Sequence, residues 1–293
     1  MASGTFGYGE EYLDLLDYSK IGAIVTKGIT LHPKEGNPPP RIAETPAGML
    51  NSVGLQNPGV DVFVREKLPF FRENRIPCIV NVAGSSVEEN VEVAGILDAQ
   101  EDVAGIELNV SCPNVKKGGM AFGKSVALLR EVVSEVRKAT RKTLITKLSP
   151  NVTDIVETAK VAVEAGSDAI SLINTLVGMA IDIEQRKPIL GGVTGGLSGP
   201  AIKPVALRMV WEVCRNVEVP VIGMGGIATA SDAVEFLIAG ATAVAVGTAT
   251  FYHPDAAAAI SDGILEYMSA HSIDDIHDLI GSLQPRTDGG AVG

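Results

Sequence analysis

An α/β fold built on a parallel sheet is predicted by three features of the sequence. Short runs rich in Val and Ile recur along the whole chain. These runs are apolar at consecutive positions, as in strands covered on both faces. Stretches with helical spacing lie between most of them, and this repeated alternation is the mark of an α/β protein.

The elements follow in order. Ile21–Thr26 is the first run, and Gly28–Asn57 after it is non-periodic, holding HPKEGNPPPR and MLNSVGLQN. Cys78–Val82 and Gly105–Val110 are the next strands. Ser125–Ala139 has apolar residues at Val126, Leu129, Val132, Val133 and Val136, which is one helix face. Leu144–Leu148 is a strand, and Asp154–Ala165 a helix starting beside a capping Thr153. Ala169–Asn174 precedes a second long non-periodic segment, Thr175–Lys203. A helix over Ala201–Val217, the strand Val219–Met224, a helix over Asp232–Ala239 capped by Ser231, and the strand Ala243–Gly247 complete the pattern.

No Pro/Ser linker or charge block divides the chain, so residues 1–293 are expected to form a single domain. Seven strands are counted, whereas a (β/α)8 TIM barrel needs eight. The eighth belongs before Ile21, where only MASG precedes a polar loop, so the first strand is expected to be truncated at the N-terminus. In a barrel both non-periodic segments sit at the carboxyl ends of strands, where active sites are built.

Composition sets bounds. Lys and Arg number 24 against 35 Asp and Glu, a net charge of −11. That balance argues against nucleic acid as a partner. Hydrophobic residues make up 46% and charged residues 20%, so wholesale disorder is excluded. Three scattered cysteines form neither a disulfide framework nor a metal site, and no metal is expected. The longest uncharged stretch, Phe236–Pro254, is interrupted by glycines and reads as helix end, turn and strand rather than a membrane span. With no secretory signal visible, a cytoplasmic protein is expected.

Candidate chemistry gathers at the strand ends. GMGGI (residues 223–227) and GTATF (residues 247–251) follow the last two strands, where barrels commonly bind phosphate on backbone N–H groups. Gly225, Gly226, Gly247 and Thr248 form the expected cradle, although each glycine pair alone also suits a tight turn. The phosphate could be that of a sugar or of flavin mononucleotide (FMN). Lys147 favours the flavin, because a lysine at a strand end can stabilise charge on the reduced ring. Cys112 lies on a Gly-rich segment (residues 107–123) that reads as a mobile flap, and it is the cysteine with a setting for general-base chemistry, helped by Lys116 and Lys117. Cys78 and Cys214 read as buried hydrophobes. Asn51, Asn81, Asn109, Asn114 and Asn174 recur where strands meet loops and together would suit a flat, amide-rich ring. Lys27 offers a cation to a carboxylate.

The segments NVSCPNVKKGG, TKLSPNVTDI, INTLVGMAIDI, GGLSGPAIKP and GMGGI together resemble the class 1 dihydroorotate dehydrogenases. GMAIDIEQRKPIL followed by GGLSGPAIKP is similar to the NAD-linked type B catalytic subunit. The resemblance runs from ASGTFGYGEEY to GTATFYHP. It implies oxidation of dihydroorotate to orotate in pyrimidine biosynthesis, with Cys112 as the base at C5 and a hydride passing from C6 to N5 of FMN. It implies substrate contacts at Lys27, Asn51, Ser52, Val53, Gly54, Leu55, Asn109, Asn114, Asn174 and Thr175. It implies FMN contacts at Ser3, Lys27, Gly28, Asn81, Asn109, Lys147, Ile173 and Gly199, together with the glycine cradle at Gly225, Gly226, Gly247 and Thr248. It also implies a separate subunit carrying FAD and a [2Fe–2S] cluster that passes electrons to NAD, in a heterotetramer built on a homodimer. Three other readings compete: the related flavin domain of dihydropyrimidine dehydrogenase, a flavin-binding scaffold without catalysis, and a cofactor-free barrel for a sugar phosphate.

Overall fold

The computed structural model describes residues 1–111, 113–114 and 120–284. After two single-turn 3-10 helices comes β1 (Ile24–Val25), then β2 (Ile42–Thr45) and β3 (Gly48–Asn51). Helices α1 (Val60–Val62) and α2 (Leu68–Glu73), joined by a π-helical turn, lead to β4 (Cys78–Val82), α3 (Val87–Asp98) and β5 (Val103–Asn109). The short strands β6 (Pro113–Asn114) and β7 (Met120–Ala121) precede α4 (Val126–Ala139), β8 (Thr143–Lys147), α5 (Ile155–Glu164) and β9 (Ala169–Leu172). Four further strands follow: β10 (Leu176–Gly178), β11 (Ile181–Asp182), β12 (Lys187–Pro188) and β13 (Gly195–Ser198). The chain then runs through α6 (Lys203–Cys214), β14 (Val221–Met224), α7 (Ala230–Ala239), β15 (Ala243–Ala245) and α8 (Ala256–Ala270).

The seven expected strands form one parallel sheet, in the order β1-β4-β5-β8-β9-β14-β15. Each neighbour is reached by a crossover through helix, so all carboxyl ends face the same way. Most of the strands are buried on both faces, β9 at every position, while the edge strand β15 is partly exposed. A continuous apolar core joins them to the helices, with Leu97 of α3, Leu129 and Val133 of α4 and Val210 of α6 fully enclosed. Residues 1 and 2 lie between the two edge strands. Ala2 N–H donates to the carbonyl of Val246 beyond β15 (2.8 Å), and Met1 C=O accepts from Val25 N–H of β1 (3.1 Å).

Two expectations are corrected here. The segments expected to be loops instead pair into a four-stranded antiparallel sheet, β10-β13-β3-β2. Its strands carry Gly48, Gly178, Gly195 and Gly196 and lack the alternation that marks a half-buried strand. Their pairing joins positions some 145 residues apart, as in Asn51 opposite Gly196. The helix caps also shift. Asp154, not Thr153, caps α5, accepting from Val156 and Glu157 N–H, where its charge also suits the positive end of the helix dipole. Helix α7 starts two residues early, capped by Thr229 in a reciprocal box with Asp232, and Ser231 falls inside its first turn.

Among the described residues no helix is long and apolar enough to cross a membrane. Thr229→Ala removes the α7 cap and should cost about 1 kcal/mol of stability. Urea unfolding checks this, with the midpoint falling and the slope unchanged.

Candidate active site

Side chains alternate across a strand, so Glu107 and Asn109 of β5 share one face. Strand register sets the neighbours: Asn81 of β4 lies opposite Glu107, Asn109 opposite Lys147 of β8, and Lys147 opposite Ser171 of β9. A polar layer thus sits near the carboxyl ends of an otherwise apolar sheet. Asn81 Nδ2 donates to Glu107 Oε1 at 2.7 Å, and Ser171 Oγ to Glu107 Oε2 at 2.9 Å. Lys147 Nζ lies 3.6 Å from Glu107 Oε1 and donates to Ser3 Oγ at 2.8 Å. Both charged side chains are almost wholly enclosed, 5% and 1% exposed.

Two adjoining cavities open above this layer. One, of about 290 Å³, is lined by Ser3, Ile173, Gly199, Gly225, Gly226, Gly247 and Thr248 among others. The second, of about 650 Å³, is lined by Lys27, Gly28, the loop Asn51–Leu55, Asn81 and Asn109. They share Ser3, Thr5, Lys147, Asn174, Thr175 and Ser198, so Lys147 stands at their junction. The structure therefore brings the sequence-derived candidates around one continuous space. Cys112, with Lys116 and Lys117, lies outside the described residues. Asn114 is placed only as a backbone position in β6, paired with Met120.

The glycine end is shaped by backbone. Gly226 has φ +78°, and a Cβ there would lie 2.7 Å from Lys203 Cβ and 2.9 Å from Gly199 O. The 290 Å³ cavity has Lys147 as its only lysine or arginine among the described residues. An anion at the far end would thus be held by main-chain N–H groups.

The amide end is a hydrogen-bonded set. Asn174 Nδ2 donates to Ser111 Oγ (3.0 Å) and Asn109 Oδ1 (3.3 Å). Asn151 donates to Thr175 O and accepts from Val177 N–H, fixing the chain beside Thr175. The loop Asn51–Leu55 is stapled from outside: Asn37 Nδ2 donates to Ser52 O and Oγ, and Arg41 bonds Asn37 O, Glu35 O and Gln56. Half-burial lowers the Lys27 pKa, opposed by Glu11 and reinforced by Arg41. Burial pushes the Cys214 thiol up to about 11 and that of Cys78, wholly enclosed in β4, higher still. Neither provides a thiolate near neutral pH.

Sequence reasoning missed Glu107, which reads as part of an apolar strand, and also Ser198, Asn37 and Asn151. Ser198 joins the two halves of the site by accepting from Thr248 Oγ1 at 2.8 Å. A turn signal marks Asn37 and Asn151, but nothing local marks their targets.

Fold and site together define a class: an α/β protein with its ligand cavity at the carboxyl ends of parallel strands and a glycine-lined recess at one end. More particularly, the chain belongs to the dihydroorotate dehydrogenase family, whose model matches residues 1–268. It is 61% identical over 282 residues to the dihydroorotate dehydrogenase B (NAD(+)) catalytic subunit of Geotalea uraniireducens, spanning 96% of this chain and 92% of that one. It is 56% identical over 283 residues to proteins of the same name from Bacteroides thetaiotaomicron and Thermoanaerobacter pseudethanolicus, over 97% of this chain and 93% of each. The chain is a dehydrogenase of that family.

The lowered Lys27 pKa has a stability consequence. The unfolded chain binds this proton more tightly than the folded one, so stability should rise with pH from the lowered pKa to the ordinary value of 10.5. Lys27→Met should therefore melt higher than the parent at neutral pH, with the gap narrowing as pH approaches 10.5. Melting curves across alkaline pH check this.

Proposed function

We propose that this chain is the catalytic subunit of an NAD-linked dihydroorotate dehydrogenase, acting in pyrimidine biosynthesis with FMN in the paired cavities. The supporting observation is the placement of Lys147 at the junction between a glycine-lined recess and an amide-lined chamber. The residues fit FMN. The recess suits a phosphate held on backbone at Gly225, Gly226, Gly247 and Thr248. Ser3, Gly28, Asn81, Lys147, Ile173 and Gly199 surround the space between, which suits a ring. FMN bound there would supply a hydride acceptor at N5 for the hydrogen leaving C6 of dihydroorotate.

The chain's own residues do the rest. Lys27 pairs with the substrate carboxylate. The loop Asn51, Ser52, Val53, Gly54 and Leu55 closes over the ring, and Asn109, Asn114, Asn174 and Thr175 present amides and a hydroxyl to its polar edges. Cys112 takes the proton from C5, the role the family resemblance implies, and burial raises the pKa of both other thiols, which suits neither to it. Lys147 stabilises negative charge arising on the pyrimidine edge of the flavin. We read the sheet, completed by residues 1–2 between β15 and β1, as a (β/α)8 barrel forming one domain. A separate subunit carrying FAD and a [2Fe–2S] cluster would take the electrons on to NAD, in a cytoplasmic heterotetramer built on a homodimer of this chain.

The test is direct. Purified protein should be yellow, absorbing near roughly 450 nm, and should bleach on anaerobic mixing with dihydroorotate. Turnover with dihydrouracil but not dihydroorotate would overturn the substrate assignment. Cys112→Ser should keep its FMN but slow this bleaching on the order of 10²- to 10⁴-fold at neutral pH, since a hydroxyl is a far poorer base than a thiolate. A full rate in that variant would remove Cys112 from its role. Gly226→Ala places a methyl against Lys203 and strains φ, so it should be purified with markedly less FMN per chain, measured by absorbance after denaturation.

A further inference from the structure

Glu107 does not line either cavity, yet two of its partners, Asn81 and Lys147, do. It is a carboxylate with almost no exposure, one layer below the cavity floor. Oε1 accepts from Asn81 and lies 3.6 Å from the Lys147 ammonium, while Oε2 accepts from Ser171. Lys147 in turn holds Ser3. A buried ion pair is weak support for stability, because well-packed apolar residues serve as well or better. The pair therefore asks for an explanation in the cavity it underlies.

We propose that Glu107 is a positioning residue and an electrostatic counterweight: it orients Lys147 and Asn81 toward the bound isoalloxazine and, by offsetting part of the Lys147 charge, sets how readily the flavin is reduced. The inference rests on the FMN reading above. The sign follows from Coulomb's law in a poorly screened interior. A cation at the ring favours the reduced, more negative flavin, and a carboxylate 3.6 Å behind that cation cancels part of its field. With Glu107 charged, the flavin is a weaker oxidant of substrate but a better electron donor to the next carrier. A dehydrogenase that must both receive and release electrons needs a potential between the two. Asn81, tied to the same oxygen, has its amide orientation fixed by the donation.

The experiment is a reduction-potential titration of the FMN-loaded chain under anaerobic conditions, against redox dyes. Four proteins are compared: the parent, Glu107→Gln, Lys147→Met and the double variant. Glu107→Gln keeps the shape and removes the charge. It should raise the two-electron potential by about 30 mV or more, a tenfold shift in the equilibrium between oxidised and reduced flavin. Lys147→Met should lower it. In the Lys147→Met background the Glu107→Gln shift should be smaller, because the part that comes from placing the ammonium is lost and only the direct field of the carboxylate remains. A Glu107→Gln protein with full FMN and an unchanged or lowered potential overturns the proposal. So does an equal shift in both backgrounds, which would mean a direct field with no role for Lys147. Where Glu107→Gln does not accumulate, Glu107→Asp carries the test, since its carboxylate is drawn back by one methylene. The potential should then rise by a smaller amount, and no rise is a refutation. Parent protein with no FMN would instead remove the cofactor reading itself.

Discussion

Burying a lysine inside an apolar sheet is costly unless the charge is compensated, and Lys147 is compensated from two directions. Glu107 on the neighbouring strand supplies the opposite charge. Ser3, from the segment that bridges the edge strands, accepts one of its hydrogen bonds. The remaining donors face the junction of the two cavities. That arrangement is possible only because parallel strands end at one level and because residues on β4, β5, β8 and β9 are in register. The fold thus does two things for the ammonium: it removes water, which strengthens any field the charge exerts, and it supplies the counter-charge that makes removal of water tolerable.

The antiparallel sheet β10-β13-β3-β2 supplies the upper wall of this space. Its strands come from the two segments after β1 and β9, so the wall cannot form until distant parts of the chain have met. Glycines at the pairing face let it sit close. A Cβ on Gly196 would collide with the Thr175 side chain, and one on Gly199 would lie 2.7 Å from Gly48 Cα. Close approach also brings Ser198 to Thr248, tying the upper wall to the glycine recess. The wall and the recess are therefore mechanically one site, although their residues lie in separate elements.

The sheet was legible because its signal is local: each strand is a short apolar run, and each run was found, with ends displaced by a few residues. The residues lining the cavities were legible for a related reason. Gly225 and Gly226 stand directly after β14 and Gly247 two residues beyond β15, while Asn109 and Lys147 end their strands and Asn174 lies two residues past β9. The upper sheet was not legible, because glycine-rich strands carry no alternation and their partners lie far away in sequence. Glu107 was hidden in another way. Inside VAGIELN a lone acid reads as an interruption of an apolar run, and only strand register shows that Asn81, Ser171 and Lys147 converge on it. Asp154 and Thr229 displaced the expected caps by a residue or two, since adjacent candidates of the same chemistry compete and backbone geometry decides between them.

A chain with eleven excess negative charges nevertheless builds a space suited to anions, and it does so without concentrating basic side chains there. Lys27 and Lys147 are the lysines that line the paired cavities among the described residues, and the glycine recess has no lysine or arginine besides Lys147 among them. Backbone donors have a fixed position and no charge to titrate, so on the proposed reading they would hold a phosphate without adding a full positive charge near the ring. The two lysines then act separately. Lys27, half-buried and with Glu11 and Arg41 acting on it in opposite senses, is the residue that the proposal pairs with a carboxylate. Lys147, almost fully buried and paired, is the one that the proposal assigns to charge on the ring. Had the recess used lysines of its own, their long-range field in this poorly screened interior would have been added to that of Lys147. On the proposed reading the glycines do more than allow close approach: they add no second full positive charge beside Lys147 and the carboxylate beneath it.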